Sequence, residues 1–188
     1  MTAYLYLLND LHIAPSEIIF SGDSAGANNA TSLLRYIAEY GAELSIPNPS
    51  AALLWSPWID PSDKSGSFVH DNPNYLIDYL SASLIVWGSD AYAGSGGKAV
   101  LTNPYFTHKN HTFETPVPLF VNTGSGEILY SDDCEWAAKM KEAGNDVTLD
   151  AEEHVPHDVL LLGNILGFDK EASACAKRAG EWLNSKKN

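Results

Sequence analysis

Four short runs rich in β-branched, aromatic and leucine residues punctuate the chain, and between them the apolar positions recur at helical spacing. Glu17 to Phe20, Ala51 to Trp55, Pro116 to Asn122 and Val147 to Ala151 read as strands, set off by Pro, Gly, Ser and Asn turn signals. Tyr4, Leu5, Leu7, Leu8 and Leu11 share a broad apolar face, which predicts a helix over Thr2 to Leu11 that stops near His12, ahead of Pro15. Further helices are predicted over Ala25 to Tyr40, over Asp132 to Ala143 with Gly144 closing it, and over Ala172 to Leu183. The alternation predicts the α/β class: a mostly parallel sheet of about four strands flanked by helices.

One stretch breaks the alternation. From Pro61 to Asn103 Ser, Gly, Asp and Asn dominate, and a helical segment around Leu76 to Trp87 interrupts them. Residues 61–103 are therefore expected to form an insertion over the sheet edge, within a single domain covering residues 1–188. No internal repeat is evident.

Composition narrows the partners. The chain has 188 residues, 45% of them hydrophobic and 19% charged, which is ordinary for one globular domain. A formal net charge of −13 excludes nucleic acid and anionic membrane surfaces as electrostatic partners, since both need clustered Lys and Arg. Cys134 and Cys175, both in helical segments, indicate neither a disulfide framework nor metal-ligand spacing, and no metal is expected. No apolar stretch approaches the length of a membrane span, and the first residues lack a basic n-region, so a cytoplasmic location is expected.

The chemistry begins where the first strand meets the first long helix. Ile18-Ile19-Phe20-Ser21-Gly22-Asp23-Ser24-Ala25-Gly26 is a strand entering a G-x-S-x-G turn and then an Ala-rich helix, the pattern of a nucleophile elbow. There a serine sits on a strained turn with its Oγ exposed, and the two glycines permit close approach of strand and helix. A serine hydroxyl needs a base within hydrogen-bond reach and a carboxylate to fix that base's tautomer. In such sheets these groups sit in loops at the carboxyl ends of the strands, in the chain order serine, acid, histidine. The loop after the third strand holds Glu127, with Asp132 and Asp133 reading as the N-cap and first turn of the next helix. Position favours Glu127 as the acid over the two aspartates. The loop after the fourth strand holds His154 and His157; His157, immediately before an apolar helical run, is favoured as the base, with His154 the alternative. Neutral imidazole is required, so activity is expected to rise with pH through about 6.5 and then level off.

Gly22-Asp23-Ser24-Ala25-Gly26, Leu54-Trp55-Ser56-Pro57-Trp58, Glu127-Ile128-Leu129 and Pro156-His157-Asp158 together resemble the hormone-sensitive-lipase-like branch of the α/β-hydrolase esterases. The resemblance covers nearly the whole chain. It implies the C-terminal portion of an α/β-hydrolase fold with a partial lid in residues 61–103, and a carboxylesterase that cleaves small, apolar acyl esters by an acyl-enzyme route without a cofactor. Ser24 matches the nucleophile, Glu127 the acid, where the family more often has aspartate, and His157 the base; Ala25 N–H is the implied oxyanion donor. Asp23, Trp58, Tyr75 and Tyr79 are candidate substrate contacts, Phe68 and Trp87 further aromatic candidates in the insertion. An HGGG-type oxyanion loop, which the family carries upstream of the serine, is not found. Loss of one such donor costs about 100- to 1,000-fold in turnover. The alternative expectation is a truncated, largely inactive hydrolase or pseudoenzyme that works through a partner subunit, a homo-oligomer included.

Overall fold

Each of the four apolar runs forms a strand in the computed structural model, which describes residues 1–62 and 66–186. The strands are β1 (Ile19–Asp23), β2 (Ala51–Trp55), β3 (Leu119–Gly124) and β4 (Val147–Glu152). They pair in sequence order β1-β2-β3-β4, all parallel, so every carboxyl end lies on one side of the molecule. Burial follows position in the sheet. All of β3 is buried and β2 nearly so, as expected for inner strands covered on both faces, whereas β1, and β4 after its buried Val147, alternate between partly covered and exposed positions.

Helices α1 (Thr2–Asn9), α2 (Ala25–Leu44) and α5 (Tyr130–Glu142) cover one face, where Leu34, Leu54, Leu119, Val121, Trp136 and Met140 form the main core. Helices α6 (Val159–Leu166) and α7 (Asp169–Ser185) cover the other, closing over Trp55, Phe120 and Cys175. The last predicted helix, Ala172 to Leu183, lies within α7, and the apolar run that follows His157 forms α6. Gly167, at φ 87°, takes the left-handed conformation that breaks one from the next. The strands also run further than expected at their carboxyl ends: β1 reaches Asp23 and β3 reaches Gly124, because pairing with the neighbouring strand continues into the loops that carry the chemistry.

The insertion contains α3 (Gly66–His70), α4 (Ala82–Ala93) and a run of tight helical turns over Gly94–Thr102. Its predicted helix over Leu76 to Trp87 is displaced toward the C-terminus, because Ser81 caps α4 by accepting from Leu84 N, while Leu76 and Ile77 belong to a turn and Asp78 to Leu80 are irregular. Asp63 to Ser65 lie outside the described residues. Buried Asn28 of α2 ties the insertion down, donating to Trp58 O and Phe106 O at 2.7 and 2.8 Å and accepting from Tyr92 Oη at 2.7 Å. Among the described residues no helix is long and apolar enough to cross a membrane.

Candidate active site

Ser24 stands between β1 and α2 with φ 49° and ψ −114°, a sparsely populated conformation for a residue with a side chain. Strain of this kind costs on the order of 1–3 kcal/mol and persists only where the surroundings enforce it. Here its N–H donates to Trp55 O at 2.9 Å, and its carbonyl accepts from Trp58 N and Asn28 N at 3.0 and 3.1 Å. Gly22 makes the turn sterically feasible: a Cβ there would lie 2.4 Å from the Gly26 carbonyl. Gly26 itself has room, with nothing nearer than Asp23 Oδ1 at 3.9 Å, so of the two motif glycines only the first is demanded by packing within this chain. Ala25 opens α2, where the N–H groups of the first turn lack intrahelical acceptors and attract negative charge.

Glu127 and His157 come from the loops after β3 and β4 and meet with His157 Nδ1 2.7 Å from Glu127 Oε2, both buried. Glu127 Oε1 accepts from Gly124 N at 2.5 Å, Thr123 Oγ1 at 2.5 Å and Ser56 Oγ at 3.1 Å. Glycine again sets the distance. A Cβ on Gly124 would sit 2.4 Å from Val155 O, and one on Gly126 would sit 2.8 Å from the same atom, so side chains there would push the two loops apart. Gly126 N instead donates to Val155 O at 3.0 Å and Ser125 N to Glu152 O at 2.8 Å. Ser56 follows β2, next to the strand carrying Ser24, and joins three loops: its hydroxyl donates to Glu127 and accepts from Asp158 N at 3.0 Å. Among the described residues the Ser24 hydroxyl is not hydrogen-bonded to His157; both lie at the carboxyl ends of the strands.

The surroundings shift His157 upward. Burial opposes its charged form, but the hydrogen bond and charge of Glu127, with the charges of Asp78 and Asp158, outweigh it and raise the pKa above 6.5. Asp158 is itself pushed up to about 6, chiefly by burial. The sequence-based expectation of a limb at the unperturbed value is therefore moved to higher pH.

The insertion braces this site from outside. Asp78 accepts from Ile128 N at 2.7 Å and from His157 N at 3.3 Å, one carboxylate spanning the acid and base loops. Asn74 Nδ2 donates to Ser125 O and Glu127 O at 2.9 and 2.8 Å, and Asn72 Nδ2 to Ile128 O at 3.0 Å. Beside Ser24 opens a cavity of about 420 Å³ lined by Ala25, Trp58, Leu80, Leu84, Trp87 and Tyr92 among others.

The remaining sequence candidates fall as follows. His154 is exposed and held away by a bond from its N–H to Ser125 Oγ. Asp132 pairs with Lys109 at 2.8 Å, and Asp133 contacts Thr123 at 2.9 Å. Trp58 lines the cavity, and the Tyr79 ring lies 6.0 Å from that of His157. Tyr75 packs on His70 and Asp23 is exposed at the end of β1; neither lines the cavity. Phe68 is partly buried in the cluster around Val69 and Ile85. Sequence reasoning missed Ser56, Thr123, Asn74 and Asp78. Ser56 and Thr123 had a usable signal, as hydroxyls at strand carboxyl ends. Asn74 and Asp78 lie in polar insertion sequence, where nothing distinguishes them from solvated loop residues. Among the described residues no group of three or more His, Cys, Asp or Glu is placed to hold a metal ion.

Comparison with known proteins identifies the fold. A sequence profile described as alpha/beta hydrolase fold matches residues 1–161. An acetyl-hydrolase of Streptomyces hygroscopicus is 29% identical over 151 residues, covering 80% of this chain and 47% of that protein. A solved esterase of the bacterial hormone-sensitive lipase family is 26% identical, with a TM-score of 0.79 over 98% of this chain and 58% of the other. A hormone-sensitive lipase from a metagenome library shares the fold with a TM-score of 0.79 at 24% identity, over 98% of this chain and 59% of that one. The chain thus spans about half the length of the curated relative it matches.

Proposed function

Because the chain belongs to the alpha/beta hydrolase fold family, we propose that it carries the chemistry of a serine carboxylesterase. Ser24 Oγ attacks an ester carbonyl while His157 takes its proton, and Glu127 fixes the imidazole and stabilises the imidazolium. The imidazolium returns that proton to the departing alkoxide as the tetrahedral intermediate collapses to the acyl-enzyme, and water then hydrolyses the acyl-enzyme with His157, neutral again, as base. The Ala25 N–H, at the positive end of α2, stabilises the oxyanion. The buried Glu127–His157 pair at the sheet end that carries the strained Ser24 is the observation that carries this reading.

The apolar lining of the cavity supports an acyl ester whose chain is small and apolar. The net charge of −13 favours a neutral substrate over an anionic one. In this reading residues 61–103 are a partial lid on one domain, supplying the cavity wall from Leu80 to Tyr92 and holding the catalytic loops through Asn72, Asn74 and Asp78.

A fluorophosphonate probe tests the proposal directly, with intact mass as the readout. The expected result is one adduct per chain on the wild type and none on Ser24→Ala. A folded wild-type chain that takes no label, or labelling that survives Ser24→Ala, overturns it.

A further inference from the structure

A second buried acid stands behind Glu127, on the side away from His157. Asp133, in the first turn of α5, is fully buried, and among the described residues no cation pairs with it; Lys109 pairs with its neighbour Asp132. Asp133 Oδ1 has no partner, while Oδ2 lies 2.9 Å from Thr123 Oγ1. The same threonine oxygen lies 2.5 Å from Glu127 Oε1. A threonine hydroxyl carries one hydrogen, so it can donate to only one of the two carboxyl groups.

The donors around Glu127 decide which. Its Oε1 accepts from Gly124 N and Ser56 Oγ, and its Oε2 from His157 Nδ1, the environment of an ionised carboxylate. If Thr123 gave its hydrogen to Asp133, two oxygens would face each other at 2.5 Å with no hydrogen between them. If it gives the hydrogen to Glu127, the Asp133–Thr123 contact needs another hydrogen, and of its two partners only the Asp133 carboxyl can then supply it. We propose that Asp133 is a neutral carboxylic acid that donates to Thr123, which in turn donates to Glu127, making both positioning residues for the acid of the triad. The positioning half rests on the triad reading above; the protonation half does not. Burial, with the neighbouring charges of Glu127 and then Asp132 and Cys134, holds the Asp133 carboxyl well above the usual carboxylate range. No proton moves along the chain. Its effect is to orient Glu127 and to spread the carboxylate's charge over one more strong donor.

Infrared spectroscopy of the whole chain reads the protonation state without using catalysis. The difference spectrum between wild type and Asp133→Asn at neutral pH is expected to contain the C=O stretch of one buried carboxylic acid; a carboxylate band in its place overturns the assignment. Should Asp133→Asn fail to fold, the wild-type spectrum is compared with that of Thr123→Val, which removes the acceptor of the Asp133 proton: an acid band at neutral pH that shifts in Thr123→Val supports the proposal, and no such band, or one that does not shift, overturns it. Positioning is read from Thr123→Val, which keeps shape and removes the donor. We expect kcat about tenfold lower at unchanged KM and an acidic limb moved to higher pH, since a less solvated Glu127 charge holds the His157 proton more tightly. Thr123→Ser should restore both. Wild-type kcat and limb in Thr123→Val would overturn the positioning role. An acid band in a chain that takes no fluorophosphonate label would leave the protonation standing and overturn the triad reading on which positioning rests.

Discussion

Ser56 bears no reactive role in the proposed reaction, yet its hydroxyl joins Glu127 to the backbone of the base loop. Removing it leaves the Asp158 N–H without that acceptor and Glu127 with one donor fewer, a loss of about 1–3 kcal/mol for a buried polar group. Ser56→Ala is therefore expected to lower unfolding stability by that amount in a denaturant titration. Turnover should fall while KM stays near wild type, since the cavity that receives the acyl chain does not include this residue. Glu127→Gln tests a larger effect at the same place: kcat down by about 10³- to 10⁴-fold, because an amide no longer favours the required tautomer and imidazolium. The pH profile follows from His157, whose pKa is raised by Glu127, Asp78 and Asp158 against the effect of burial. Since the base must be neutral, kcat/KM should climb with a midpoint above pH 6.5. A midpoint below that value in a stopped-flow or initial-rate profile would contradict the assigned surroundings.

The elbow separates two glycines that look equivalent in the motif. A Cβ at position 22 meets backbone of α2 at 2.4 Å, and backbone at the start of a packed helix cannot yield. Gly22→Ala should thus fail to fold or lose several kcal/mol, while Gly26→Ala should keep the wild-type melting temperature within about 2 °C, as surface substitutions do. Comparable losses for both would mean the strand–helix contact is not what the motif protects. This is also where sequence reading reached its limit. Strand β1, helix α2 and the positions of Glu127 and His157 were legible because each carries a local signal: an apolar run, a turn motif, a place in a loop after a strand. Asp78 was not, since its importance comes from meeting Ile128 and His157, residues 50 and 79 positions away. The two helical runs after His157 were legible as separate segments, and a left-handed Gly167 ends the first of them. His108 is fully buried, its ring within 3.3 Å of Ser32 Oγ and Asn28 O, a structural place that no local pattern around it announces.

Over the whole molecule, the pH that favours the fold and the pH that favours the reaction pull apart. Asp158 and Asp133 both titrate higher in the folded chain than a free carboxyl, so the stability they contribute is present below about pH 4 and is lost as pH rises through their folded values. His157 behaves the same way one step higher: its contribution is complete below 6.5 and disappears as pH passes its raised pKa. His108 has the opposite sign, because burial, aided by the charge of Arg35, depresses it to about 4, so its contribution is lost as pH falls from 6.5 towards that value. Above pH 6.5 His108 has nothing further to add, while His157, whose pKa is raised above that value, still loses. The thermal midpoint, followed by circular dichroism, is expected to decline from about pH 6.5 to pH 8, the interval in which kcat/KM should be rising. On the acid side His108→Gln should flatten the fall that protonating this buried ring imposes. A midpoint that rises together with activity across the alkaline interval would show that the buried acids and His157 do not dominate the balance, and that the −13 charge or groups elsewhere set it instead. The opposition has a structural cause: the carboxylates that raise the basicity of His157 are crowded at one buried sheet end, so the arrangement that makes the base strong is the one the fold holds least well once protons leave.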